Sequence, residues 1–228
     1  IMIKALKEFG IKADYYLPNR YIDGYGLTNA VIDKIADIYQ PNLIITVDCG
    51  ISCYQEVEYA KNKGIEIIVT DHHEIPEIIP DTIVVNAKIE GQEYPFRELC
   101  GTGVAYKFAE ALLGRKASEQ FLPIAAIATI VDIVPLKGEN RTIVTRGLGC
   151  CDKYLPIGLK MMFKEYDIST IKRKMLVKYP FFGSVIASVD YKESKDSTLI
   201  EIIDRPVWHK TSDNISDGKS DTLRPDLI

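Results

Sequence analysis

Two short apolar segments separated by a helical one constrain the fold of this 228-residue chain more than any other feature. Residues 42–47 and 65–70 are rich in β-branched side chains, and each is followed at once by an aspartate, Asp48 or Asp71. The intervening segment has a helical pattern and stops at Gly64, a typical C-cap. Because strands that alternate with helices pair in parallel, the sequence predicts an α/β fold built on βαβ units.

The rest of the pattern surrounds this unit with further helices and strands. Thr28 is suited to cap a helix whose apolar side chains recur at helical spacing, and Pro41 ends that stretch. Helices are predicted over residues 2–9, 28–39, 104–113 and 124–131, and strands over residues 14–17 and 82–85. A doubly wound sheet usually begins with a strand, so a chain that opens on a helix is expected to lack residues at its N-terminus.

Composition narrows the class of protein. With 46% hydrophobic and 26% charged residues the chain has ordinary globular values, and no apolar run approaches the roughly 20 residues that span a bilayer. A formal net charge of −4 means that any nucleic-acid site is a local patch. The five cysteines form no paired framework, which suits a reducing, cytoplasmic location. We expect a monomer without a membrane partner.

The triplet Asp71-His72-His73 directly follows the second predicted strand and contains two of the chain's three histidines. In open α/β sheets, ligands bind at the carboxyl ends of the strands, where Asp48 should lie beside the triplet. A third carboxylate, Asp132, interrupts an apolar run, and an isolated buried carboxylate is costly unless it is paired or binds a metal. Taken singly, the triplet can be a hydrogen-bonded strand end, and Asp132 a helix-terminal carboxylate.

Together these side chains offer a set of oxygen and nitrogen ligands. Carboxylates with imidazole suit Mn²⁺ or Mg²⁺ better than the thiolate-rich sites that favour structural zinc. Two such ions roughly 3.5–4 Å apart activate water and stabilise the leaving oxygen of a phosphoester. The sequence therefore predicts metal-dependent phosphoester chemistry at the strand ends.

Three sequence motifs resemble those of a known family, the DHH phosphoesterases. Its second, third and fourth motifs are similar to VDCG, TDHHE and IVDIVPL at residues 47–50, 70–74 and 130–136. The RecJ branch of this family, the bacterial single-strand-specific 5′→3′ exonucleases, is similar at residues 15–27, 94–105 and 138–144. The resemblance covers about residues 1–159. It implies an α/β, parallel-sheet DHH domain flanked by helices, followed by a divergent C-terminal segment.

The resemblance also implies a role for each side chain at the strand ends. Asp48 matches the family's metal-bridging aspartate, and His72 and Asp132 match ligands of one of two Mn²⁺ or Mg²⁺ ions. Asp71 matches the outer carboxylate that orients an imidazole. His73 matches the histidine that faces the scissile phosphate and stabilises its developing charge.

Further residues in the family motifs are expected near the cleft as substrate contacts, namely Asn19, Arg20 and Arg141. A guanidinium grips phosphate bidentately, so the two arginines are expected to bind phosphate or DNA. An ion pair of Arg20 with Asp23, or of Arg141 with Glu139, is an equally good interpretation.

Two departures from the family pattern bear on activity. The first motif, an aspartate-rich strand end with further metal ligands, should precede Ile1 and is absent. The glycine- and histidine-bearing substrate motif of the second domain is not recognisable after Leu159. We therefore expect an N-terminally truncated catalytic domain over residues 1–150, a helical, basic connecting segment over residues 151–189, and a divergent, partly disordered tail over residues 190–228.

The function expected from the resemblance is metal-dependent hydrolysis of single-stranded DNA from its 5′ end, in DNA repair and recombination. One alternative keeps the chemistry but takes short oligoribonucleotides or cyclic dinucleotides as substrate, and the loop over residues 18–27 argues against it. Another alternative is a catalytically inactive fragment that binds single-stranded DNA, to which the basic stretch over residues 160–178 would contribute.

Overall fold

The structure is a computed structural model that describes residues 1–19, 21–91 and 93–165, and after them residues 174–178, 185–193, 198–202 and 207–208; side chains are described up to residue 161. Its helices are α1 (Met2–Glu8), α2 (Asn29–Tyr39), α3 (Tyr54–Asn62), α4 (Gly101–Leu113), α5 (Arg115–Ser118), α6 (Leu122–Val131), α7 (Gly138–Gly149), α8 (Cys151–Tyr154) and α9 (Ile157–Glu165), with a short 3-10 turn over Glu119–Phe121. Its strands are β1 (Leu43–Val47), β2 (Glu66–Thr70), β3 (Ile83–Val85), β4 (Lys174–Lys178), β5 (Val185–Glu193), β6 (Thr198–Ile202) and β7 (Val207–Trp208).

Strands β1, β2 and β3 form a parallel sheet in that order, so the predicted α/β arrangement is confirmed. Val47 pairs with Thr70, and Thr70 pairs with Val85, which aligns the carboxyl ends of the three strands. The ladder continues one residue further. The amide of Asp48 donates to the Thr70 carbonyl (2.9 Å), and the amide of Asp71 donates to the Val85 carbonyl (3.0 Å). Both aspartates therefore leave the sheet at the same edge.

Helices cover both faces of this sheet. Ile44 of β1 packs into a buried cluster that contains Val31 of α2 and Val57 of α3. Its neighbour Ile45 packs against a second cluster, which contains Leu6 of α1. Because successive side chains of a strand point to opposite faces, a strand such as β1, in which Ile44 and Ile45 face opposite sides, needs a helical layer on each side.

Helices α6 and α7 pack closely because a glycine lies at their contact. A β-carbon at Gly147 would lie 2.4 Å from the carbonyl oxygen of Leu122 and 2.5 Å from the β-carbon of Ala126, so a larger residue does not fit there. Helix α6 is apolar along nearly its whole length and is mostly buried, as expected for a helix inside the domain. It ends at Val131 and presents Asp132 as its C-cap.

The predicted strand over residues 14–17 does not form in the structure. These residues are irregular, and the carbonyl of Tyr15 accepts a hydrogen bond from the hydroxyl of Tyr39 instead of pairing in a sheet. The loop that follows is held by Asp23, which is buried and forms an ion pair with Lys34 of α2. A short apolar segment becomes a strand only where a neighbour completes its ladder, and no described strand does so here.

The C-terminal part of the described chain contains a second, antiparallel sheet. Strand β5 pairs with β4, β6 and β7. The connecting segment predicted over residues 151–189 is helical as α8 and α9 and then contains β4 and the start of β5. The other residues of that segment, and most of the predicted tail over residues 190–228, lie outside the described residues. Among the helices that the structure describes, none has the length and apolar character needed to cross a membrane.

Candidate metal centre

Asp48 lies in the sharp turn that follows β1. Its φ is +65°, in the left-handed region, and the turn continues through Gly50 with a φ of +110°. Aspartate tolerates the left-handed region better than most residues, and glycine adopts positive φ freely. The hydroxyl of Thr46 donates to the carbonyl of Cys49 (2.7 Å), and a β-carbon at Gly50 would lie 2.9 Å from that hydroxyl oxygen. This turn leaves the Asp48 side chain 56% exposed at the sheet edge.

Asp71 is the buried centre of the triplet, with 1% of its side chain exposed. Its Oδ1 accepts hydrogen bonds from the amides of His72 (2.7 Å) and His73 (3.2 Å), and its Oδ2 accepts one from the amide of Ile51 (3.0 Å). Oδ1 also lies 2.6 Å from Nδ1 of His73. Burial alone would raise the pKa of Asp71, but these hydrogen bonds outweigh it and hold the pKa below its ordinary value of 3.8. Asp71 is therefore a charged anchor that fixes the His73 ring through Nδ1.

His72 lies between two carboxylates. Its Nε2 is 3.1 Å from Oδ1 of Asp48 and 3.7 Å from Oδ2 of Asp132. The hydrogen bond to Asp48 is the largest cause that raises the pKa of His72 above 6.5, and the charge of Asp132 adds to it. Burial, together with the charge of Asp48, raises the pKa of Asp132 above 3.8 even though His72 opposes the change. Both carboxylates thus favour a proton on His72, and a cation bound here would take the place of that proton.

The loop that carries Asp132 is held by a buried asparagine. Asn140 of α7 is fully buried, and its Nδ2 donates to the carbonyls of Glu98 and Pro135 (3.0 Å to the latter). Ile133, directly after Asp132, has a φ of +56°, which is rare for a β-branched residue. The sequence motif by itself assigns no role to Asn140. An asparagine at a core-facing helix position nevertheless predicts hydrogen bonds to a neighbouring loop, because buried polar groups need hydrogen-bond partners.

Of the predicted substrate contacts, two lie among the described residues. Asn19 is exposed and accepts a hydrogen bond within its own loop through Oδ1, and Arg20 lies outside the described residues. Arg141 is exposed, and Glu139, its predicted alternative partner, forms an ion pair with Lys107 (3.0 Å). The roles of these residues in binding substrate stay predictions.

The donor set at this edge of the sheet fits a hard divalent cation. One ligand atom from each of Asp48, His72 and His73 lies within 4.8 Å of the others, and Asp132 adds a carboxylate 3.7 Å from His72. Carboxylate oxygen suits Mn²⁺ and Mg²⁺, and a set that contains two carboxylates and no thiolate favours these ions over structural zinc. The neighbouring thiol of Cys49 does not belong to the set, because burial and the nearby carboxylates raise its pKa to about 11 and keep it protonated.

Comparison with known proteins shows which family this chain resembles. The N-terminal domain of the DHH family matches residues 1–133, a stretch that contains the whole donor set. The single-stranded-DNA-specific exonuclease RecJ of Bacillus subtilis (strain 168) is 42% identical over 165 residues, which cover 72% of this chain and 21% of that protein. YorK, a provisionally named single-strand DNA-specific exonuclease derived from the SPbeta prophage of the same strain, is 34% identical over 209 residues, 87% of this chain and 34% of that protein.

A solved structure shares the fold. The crystal structure of exonuclease RecJ bound to manganese has a TM-score of 0.64 and 30% identity, and the match covers 72% of this chain and 42% of that one. The chain spans about a fifth to a third of the length of the two curated relatives. Because the family domain matches more than half of the chain and includes the entire three-stranded parallel sheet, the chain belongs to the DHH family.

Proposed function

We propose that this chain hydrolyses phosphodiester bonds in single-stranded DNA with Mn²⁺ or Mg²⁺ as cofactor. The observation that carries the proposal is the position of His72, whose Nε2 lies 3.1 Å from Asp48 and 3.7 Å from Asp132 at the carboxyl end of the sheet. Two similar proteins are named as exonucleases specific for single-stranded DNA, and a similar structure contains manganese. The relatives supply the proposed substrate, and the geometry supplies the proposed chemistry.

Each side chain of the group has a task in this reaction. Asp48, His72 and Asp132 would hold the cation, and His72 would have to be unprotonated on Nε2 to act as a ligand. A bound divalent cation supplies Lewis acidity and lowers the pKa of water, which makes a nucleophile near neutral pH. Asp71 accepts the hydrogen bond from Nδ1–H of His73 and so turns the Nε2 edge of the ring toward the scissile phosphate. With a proton on both ring nitrogens, the imidazolium of His73 stabilises the negative charge that develops on a non-bridging phosphate oxygen.

The loop before α2 offers a surface for the DNA strand. Tyr21 is 98% exposed and Tyr25 is 66% exposed, and exposed aromatic rings stack on nucleobases irrespective of sequence. The loop lies next to the metal group, since a β-carbon at Gly26 would lie 3.7 Å from the β-carbon of Cys49, the neighbour of Asp48. The proposed contacts to the phosphates of the same strand are Asn19, Arg20 and Arg141.

A strand that extends along this loop is longer than a dinucleotide, which favours DNA strands over short oligoribonucleotides and cyclic dinucleotides as substrate. The proposal includes attack from the 5′ end with release of 5′ nucleotides, and a place in DNA repair and recombination.

Hydrolysis of a labelled single-stranded oligonucleotide by the purified 228-residue chain in Mn²⁺ tests the proposal. We expect Asp48→Ala to abolish hydrolysis, and Asp81→Asn, which changes a carboxylate that is 88% exposed, to leave it unchanged. Undiminished hydrolysis by Asp48→Ala would contradict the metal assignment. Faster turnover of cyclic dinucleotides than of the oligonucleotide would contradict the substrate, and DNA binding without cleavage would support the non-catalytic alternative.

A further inference from the structure

A glycine at the start of α4 lies against the metal group. A β-carbon on Gly101 would lie 2.0 Å from Oδ1, 2.4 Å from Cγ and 2.7 Å from Cβ of Asp48. Each distance is too short for a nonbonded contact. Rotation about the Cβ–Cγ bond of Asp48 moves only the carboxylate oxygens, so it leaves Cγ and Cβ in contact with the added β-carbon. Gly101 is not one of the glycines with positive φ, so a lack of space, and not backbone conformation, requires glycine at this position.

The same segment is tied to α6, the helix that presents Asp132. Cys100 is the N-cap of α4, and its Sγ accepts a hydrogen bond from the amide of Gly103 (3.3 Å). Its Sγ also lies 3.5 Å from Oγ1 of Thr129, which is in the last turn of α6, three residues before Asp132. The start of α4 therefore contacts Asp48 directly and contacts the helix that carries the second carboxylate.

We infer that Gly101 is a positioning residue for the metal centre. Its missing side chain lets α4 begin directly against Asp48, and this contact holds the Asp48 carboxylate 3.1 Å from His72. Because the Asp48 side chain is 56% exposed, solvent would otherwise allow it other rotamers. The inference deepens the proposed function, since it takes Asp48 and His72 as metal ligands.

Mn²⁺ binding by the 228-residue chain, measured by calorimetry, is the first test. Loss of a group that orients a ligand weakens metal binding by about 10–100-fold, and we expect Gly101→Ala to weaken Mn²⁺ binding by at least about tenfold. Gly103→Ala is the matched control. It changes the same turn of α4, but its nearest atoms are the Leu99 side chain at 3.3 Å, so we expect wild-type affinity. Wild-type affinity in Gly101→Ala would overturn the inference.

A double-mutant cycle on the metal-free chain is the second test. We expect Gly101→Ala to lower the melting temperature by about 5 °C, because it overpacks the contact. Asp48→Gly removes the three atoms nearest to the new β-carbon, so Gly101→Ala should cause a much smaller loss in that background. Equal losses in both backgrounds would overturn the inference. A wild-type chain that fails to bind Mn²⁺ would contradict the proposed function. The double-mutant cycle would still test the role of Gly101 in that case, because it is measured without a cation.

Discussion

Replacement of Asp71 by asparagine tests whether the charge of this buried side chain organises the DHH triplet. Asparagine has the same shape, but only one of its two terminal atoms accepts hydrogen bonds. If that oxygen keeps the contacts of Oδ1 to the amides of His72 and His73, the NH₂ group faces the amide of Ile51, 3.0 Å away, donor against donor. The opposite orientation would leave both histidine amides without their acceptor.

The change is expected to lower the free energy of unfolding by about 3 kcal/mol. One buried amide loses its acceptor, which costs about 1–3 kcal/mol, and the remaining hydrogen bonds lose the charge that strengthens them. For a chain of this size 1 kcal/mol shifts the melting temperature by about 2–4 °C, so we expect a fall of about 6–12 °C. Because the pKa of Asp71 is lowered, its stabilisation is present above 3.8 and is lost as the pH falls through the folded value. The two proteins should therefore converge in acid.

Thermal unfolding of the metal-free chain, followed by circular dichroism, measures this difference. Asp81→Asn is the control, because Asp81 is 88% exposed and pairs with Lys61 at the surface, so its loss should change stability by less than about 0.5 kcal/mol. A melting temperature for Asp71→Asn equal to that of the control would refute the reasoning, and so would a difference that persists unchanged in acid.

Three further predictions concern the rest of the site. Mn²⁺ affinity should rise as the pH increases through the pKa of His72, which is raised above 6.5, because the proton on Nε2 competes with the cation. Calorimetry at several pH values measures this affinity, and an affinity that does not depend on pH would contradict the prediction. In the metal-free chain the sign is opposite: the stabilisation from His72 is complete below 6.5 and is lost as the pH rises through the folded value, so the melting temperature should fall there. Ile133→Asn should raise the free energy of unfolding by about 1 kcal/mol, because asparagine adopts a φ of +56° with less strain than isoleucine. Little apolar burial is lost, since Ile133 is 52% exposed. Urea unfolding measures the change, and an unchanged midpoint would count against the prediction.

Hydrophobic pattern alone predicts the part of the fold that carries the site. The segments predicted over residues 42–47 and 65–70 differ by one residue from β1 and β2 as observed. The aspartates that follow them could also be placed at one edge, because parallel strands linked by a helix end on the same side. Local patterns suffice here because the strand signal and the polar residues that end it are adjacent in sequence.

Features that depend on distant contacts could not be predicted in this way. The sequence of residues 14–17 predicts a strand, but no strand among the described residues lies beside this segment to pair with it. Asn140 donates to the carbonyl of Glu98, about 40 residues away in the sequence, and Gly101 lies against Asp48, about 50 residues away. The roles of Asn140 and Gly101 therefore depend on contacts that only the folded chain brings together. No short-range pattern distinguishes such a glycine from an ordinary glycine at the start of a helix.

The central claim is that Asp48, His72 and Asp132 together bind a divalent cation. Anomalous scattering from crystals of the chain soaked in Mn²⁺ tests it most directly, because it locates the ion without reference to activity. We expect one anomalous peak within ligand distance of Oδ1 of Asp48 and Nε2 of His72, facing Oδ2 of Asp132, and no peak there in crystals without Mn²⁺. Soaked crystals in which Mn²⁺ binds elsewhere, or not at all, would contradict the claim.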